Sequence, residues 1–159
     1  MKTTFNHSDG AFFENDGASL YYEEAGTAEA PALIFLHGGM GHLETFNSIT
    51  PKFAPHFRII GLDSRGHGRS GLGEKGLRYE FLQNDVEALV KHLGLGSFSI
   101  LGFSDGGLVG YRLAAFTELP IEKIVAVGAP WRVEQERFLK ENRAKITGDA
   151  MRERQPDYF

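Results

Sequence analysis

Short apolar runs and longer stretches of helical periodicity alternate along this chain. Ala32–Leu36, Phe57–Leu62, Phe98–Leu101 and Ile124–Val127 are near-continuous apolar runs, the pattern of strands buried on both faces of a parallel sheet. Between two of them, Leu82, Val86, Leu89, Val90 and Leu93 recur at helical spacing, which predicts a helix over 79–93 that Gly94 closes. A short helix is expected over 46–53 and another over 104–116. Ahead of these, Ala11–Glu14 and Ser19–Glu24 flank Asn15-Asp-Gly17, a turn sequence that predicts an antiparallel hairpin. After Trp131 the pattern changes. Residues 132–159 are dense in Glu, Arg and Lys, contain no buried-strand run, and read as exposed helices of a different subregion.

Strands alternating with helices behind a leading hairpin mean an α/β sheet, with its ligand crevice at the carboxyl ends of the strands. Three glycine-rich segments fall at such ends: His37-Gly-Gly-Met-Gly41, Asp63-Ser-Arg-Gly-His-Gly-Arg-Ser-Gly71 and Gly102-Phe-Ser-Asp-Gly-Gly107. The last has the order GxSxG between a strand and a helix. Such a turn is so tight that its serine, here Ser104, takes a strained backbone conformation, and the flanking glycines remove Cβ atoms that would collide. A serine so presented can attack a carbonyl carbon once a base takes its proton.

The ordered set of three motifs resembles the N-terminal part of an α/β-hydrolase: a mostly parallel sheet with a leading antiparallel hairpin. On that resemblance residues 1–130 form the core through the sixth strand, apparently truncated there, and 131–159 begin a helical cap. It implies Ser104 as nucleophile, with the amides of Asp105 and Gly39 as oxyanion donors and Met40 as the alternative to Gly39. Met40, His42, Phe103, Asp105 and Trp131 are then expected to contact the substrate. Serine at the elbow argues against aspartate-dependent dehalogenase or epoxide-hydrolase chemistry. Within the wider family the run Ser104-Asp-Gly-Gly107 resembles valacyclovir hydrolase-like esterases, which implies that Asp105 pairs with a substrate amine. The competing reading of Asp105 is an acid in the first helical turn, favoured by the helix dipole.

The family also needs an acid and then a histidine downstream of the serine, and no histidine follows His92. His37 is expected to order its loop rather than act as base, while His42 and His67 are placed to line the pocket. A polypeptide of these 159 residues is therefore expected to turn over little or nothing. It would either self-associate through the open edge at Ile124–Val127 or belong to a longer protein that supplies the missing strands, acid and histidine. The reaction expected of the complete site is cleavage of a carboxylic ester or similarly activated acyl compound, with no cofactor. The alternative is a truncated or non-catalytic module that binds a ligand or partner chain.

Composition narrows the classes further. With 42% hydrophobic and 24% charged residues and a net charge of −4, nothing points to nucleic acid or an anionic membrane as partner. The absence of cysteine removes disulfides and thiolate metal sites. No two histidines stand four apart as in a helical zinc site, so no metal is expected. Gly66-His-Gly-Arg-Ser-Gly71 matches GxGxxG but neither follows a strand directly nor opens a helix, which argues against dinucleotide binding. The basic residues Lys140, Arg143, Lys145, Arg152 and Arg154 alternate with acids and read as a solvated helix face. Lacking the apolar core of a signal peptide, the chain is expected to be cytoplasmic.

Overall fold

Six strands form one sheet in the order β1-β2-β4-β3-β5-β6 in this computed structural model, which describes residues 1–131. Strands β1 (Ala11–Asn15) and β2 (Ala18–Gly26) make the leading hairpin, and β2 runs antiparallel to β4 (Arg58–Leu62). From β4 the sheet is parallel through β3 (Ala32–Leu36), β5 (Phe98–Phe103) and β6 (Ile121–Val127). The hairpin turn holds Asp16 and Gly17 both at positive φ, 51° and 73°, which lets a two-residue turn match the twist of its strands. The chain divides into two compact units, Met1–Ala129 and Pro130–Phe159.

Alternation along the strands separates two apolar layers. Ile34, Leu36, Ile60 and Ile100 face one way, packing with Val86 and Leu89 of α2 (Tyr79–His92) and with Val109 and Leu113 of α3 (Asp105–Phe116). Leu33, Phe35 and Ile59 face the other way, against Phe5, Phe46 and Ala54. Both faces are thus covered, as a parallel sheet requires.

Two expected elements differ in detail. Instead of one helix over 46–53 there is a 3₁₀ turn, Leu43–Phe46, and a single helical turn, α1, Thr50–Phe53. Pro51 supplies no N–H for a continuous ladder, but it fits the first turn of a new helix, so the segment breaks and restarts. Strand β6, expected to be buried on both faces, has no fully buried residue. Its Ile124 meets α3 at Gly110, while Val125 and Val127 on the opposite face are about half exposed (54% and 49%). Among the described residues β6 is one edge of the sheet, opposite β1, and only one of its faces is covered by a helix. The expected helices over 132–159, and the basic residues there, lie outside the described residues. No helix among the described residues is long and apolar enough to cross a membrane.

The topology places the site. After β3 the chain lays β4 on one side of it and β5 on the other, so a crevice opens where the carboxyl ends of β3 and β5 diverge. Leu36 pairs with Gly102 in register, which brings the turn after His37 and the turn at Ser104 side by side.

Candidate active site

Ser104 joins β5 to α3 at φ 50°, ψ −114°, a region that side-chain-bearing residues rarely occupy. Its N–H donates to the Val127 carbonyl at 2.8 Å, and its own carbonyl accepts from the N–H groups of Gly107 and Leu108. The surrounding glycines explain how the turn closes. A Cβ on Gly106 would overlap the carbonyl of Leu36, and one on Gly102 would lie 2.5 Å from the Gly106 carbonyl oxygen. The backbone strain at Ser104 is therefore held by packing and hydrogen bonds on both sides.

The loop after β3 lies directly opposite. A Cβ on Gly38 would lie 3.0 Å from Cβ of Ser104, and one on Gly39 would lie 2.5 Å from Oδ2 of Asp105. Among the described residues the amides of Gly39 and Asp105 have no hydrogen-bond acceptor. The amide of Met40 is engaged: it donates to Nε2 of His67 at 3.2 Å. Of the two loop amides considered from sequence, Gly39 is thus the one left open. Met40 itself sits at φ 60°, so its side chain stands out from the loop and is 45% exposed.

His37 is buried and fully engaged. Its Nε2 accepts the Ser64 N–H at 3.0 Å, which assigns the proton to Nδ1, where it is donated to the Gly38 carbonyl at 2.7 Å. Burial lowers its pKa from 6.5 to about 4, outweighing the hydrogen bond to Gly38 that opposes the shift. With both nitrogens committed to backbone groups, the ring orders the loop and has no free position for proton transfer. The loop after β4 is tied down as well. Buried Asp63 accepts from the N–H groups of Leu43 and Arg69, and Arg65 makes a two-pronged ion pair with Asp85 of α2.

Beside the elbow lies a cavity of about 370 Å³, walled by Gly39, Met40, His67, Leu77, Arg78, Tyr79, Leu82 and Asp105. Tyr79 donates its hydroxyl to Oδ1 of Asp105 at 2.7 Å. Met40, Asp105 and His67, all expected near the pocket, do line it. Phe103 lies next to Ser104, with its ring between Gly38 and Gly128, outside this wall. His42 stands elsewhere: its ring packs against His7 at 5.1 Å. Trp131 belongs to the second unit and is exposed. Tyr79, Leu77 and Arg78 carry no sequence signal of a site. They enter only because the start of α2 packs near the elbow. The helical-spacing test for metals also misses a cluster built from separate segments, in which donor atoms of His7, His42 and Glu44 all lie within 4.8 Å of one another.

Comparison with known proteins agrees with this architecture. The profile of the alpha/beta hydrolase fold family matches residues 31–150. A putative esterase/lipase of Haemophilus influenzae is 30% identical over 135 residues, covering 79% of this chain and 46% of that protein. A bifunctional esterase/perhydrolase of Acinetobacter calcoaceticus is 32% identical over 116 residues, covering 72% of this chain and 42% of its own length. Among solved structures, a hydrolase from Pseudomonas aeruginosa superposes with a TM-score of 0.78 at 29% identity, covering 96% of this chain and 58% of that one. The chain spans less than half the length of these two curated relatives. The match over most of the sequence, together with the parallel sheet and the strained serine turn, places this chain in the alpha/beta hydrolase fold family.

Proposed function

We propose that the protein is a serine hydrolase that cleaves a carboxylic ester, or a similarly activated acyl compound, through an acyl-enzyme on Ser104. The observation that carries this reading is the strained Ser104 facing a glycine loop, with the amides of Gly39 and Asp105 both open. Oγ of Ser104 bonds to the carbonyl carbon as a base takes its proton, and the carbonyl oxygen becomes an oxyanion held by those two amides. Collapse expels the alcohol, which recovers the proton from the base. Water then attacks the acyl-enzyme by the same route and releases the acid. The esterase names of the relatives support the class of reaction.

All six histidines lie among the described residues, and none of them hydrogen-bonds to Ser104. The substrate enters the cavity beside Asp105, with Met40 and Leu82 as apolar wall. The test uses the complete protein with a fluorophosphonate probe and an activated short-chain ester. Wild type is expected to be labelled once and to turn over, and Ser104→Ala to do neither. An unlabelled wild type that still binds acyl ligands would replace this reading by a non-catalytic binding module.

A further inference from the structure

His7 is held in place from three directions. Its backbone is at φ 53°, its carbonyl accepts from Nη1 of Arg69 at 2.7 Å, and Nε2 of its ring lies 2.8 Å from Oδ2 of the fully buried Asp63. Oδ2 already accepts the Arg69 N–H, so the ring contact is Nε2–H donating to a carboxylate. Its other nitrogen, Nδ1, lies 2.9 Å from Oε1 of Glu44. At that distance the contact is closed either by a proton on Nδ1 or by a cation held between the two lone pairs. The ring of His42 packs against His7, and its Nδ1 is buried with no hydrogen-bond partner. The orphaned His42 nitrogen, the carboxylate and the His7 lone pair are one short of a complete arrangement.

We propose that His7, His42 and Glu44 form a zinc-binding site that staples the N-terminal segment to the loop following Gly38–Gly41. Their donor atoms lie within 4.8 Å of one another, and tetrahedral zinc with bonds of about 2.0–2.1 Å needs them roughly 3.3 Å apart, so the three side chains adjust when the ion binds. Two imidazoles and one carboxylate are a borderline donor set, which suits zinc over calcium or magnesium. Asp63 behind His7 is the carboxylate that fixes a ligating ring's tautomer and orientation in such sites. One divalent ion also balances the two negative charges of Glu44 and Asp63. The site uses none of the residues assigned to the proposed reaction, so zinc binding is read independently of it.

The experiment titrates Zn²⁺ into tag-free, chelator-treated protein by calorimetry, with Co²⁺ as a spectroscopic probe. Expected are one ion per chain, a Kd of about 10 µM or tighter, and the visible bands of tetrahedral cobalt. Zinc at a hundred times Kd should raise Tm by about 5–10 °C. His7→Ala, His42→Ala and Glu44→Gln should each lose these effects, weakening binding by about 100-fold or more. His56→Ala, at an exposed histidine elsewhere, should bind as wild type does. Metal-free melting of each variant separates lost binding from lost folding. Equal binding by all variants would put the ion elsewhere. No binding by folded wild type would mean that a proton on His7 bridges the two carboxylates. Either result overturns the proposal.

Discussion

The backbone N–H of Met40 donates to Nε2 of His67, 3.2 Å away, and so ties the loop after β3 to the loop after β4. Because Nε2 accepts, the ring proton sits on Nδ1 and goes to the carbonyl of Arg65 at 3.1 Å. His67 therefore holds Met40 at its positive φ and sets the orientation of the neighbouring Gly39 amide. Replacing His67 by Ala should lower kcat by about 10- to 100-fold through loss of amide alignment, with little change in KM. Steady-state kinetics on an activated ester, with Tm measured alongside, checks this. A fall in Tm that accounts for the lost activity would point to scaffolding alone.

His37 makes stability depend on pH. Its pKa is about 4 in the folded protein against 6.5 when unfolded, because burial disfavours the charged ring. Between those values the unfolded state binds the extra proton, so stability is full above pH 6.5 and falls as pH drops toward 4. The loss is on the order of 3 kcal/mol. Urea unfolding at a series of pH values, in chelator, should show this slope in wild type and a flatter one in His37→Ala. Parallel slopes would mean that other groups carry the acid sensitivity.

Arg65 and Asp85 are both buried, and their ion pair anchors the loop that carries His67 to α2. Removing one member leaves an uncompensated buried charge. Asp85→Ala should therefore cost about 3–5 kcal/mol by denaturant unfolding, whereas an exposed pair such as Lys75–Asp16 should cost under ~1 kcal/mol when broken. A small effect of Asp85→Ala would mean that water reaches Arg65.

The sequence carried the local half of this structure. Strands with both faces buried leave continuous apolar runs, as at Ala32–Leu36, and a tight serine turn must be flanked by glycine, so β3, β5 and the elbow were legible. What was not legible depends on distance in space. Tyr79 reads as the first residue of an amphipathic helix, and nothing local says that its hydroxyl reaches Asp105. His42 follows the glycine loop in sequence and so was expected at the pocket, but the 3₁₀ turn after it directs its ring toward His7. The half exposure of β6 was missed for a related reason: Ile124–Val127 has the composition of a central strand, while its position in the sheet is set by pairing.

Gly39 offers a test that separates the loop from the core. A Cβ there would meet Oδ2 of Asp105, the movable end of a side chain, whereas on Gly106 it would meet the backbone of Leu36. Gly39→Ala should leave stability within about 1 kcal/mol while reducing turnover, since it displaces the Asp105 carboxylate and crowds an oxyanion donor. Gly106→Ala should cost about 3 kcal/mol or more. Tolerance of alanine at Gly106 without loss of stability would contradict the packing of the elbow.

Asp105 links the elbow to substrate choice. Its carboxylate lines the cavity, and the Tyr79 hydroxyl holds Oδ1, which fixes the rotamer and leaves Oδ2 on the side of Gly39. An ester bearing an α-amino group could place its ammonium against that carboxylate while its carbonyl sits at Ser104. A charge-assisted hydrogen bond of this kind is worth about 1.5–3 kcal/mol, so amino-acid esters should exceed their des-amino counterparts in kcat/KM by roughly 10- to 100-fold in the complete enzyme. Asp105→Asn keeps the shape and removes the charge, and should erase the preference. Tyr79→Phe should reduce it by loosening the carboxylate. Equal kcat/KM for the two ester series in wild type would leave Asp105 as a first-turn acid serving the dipole of α3, a role worth about 0.3–1 kcal/mol to the helix and nothing to selectivity.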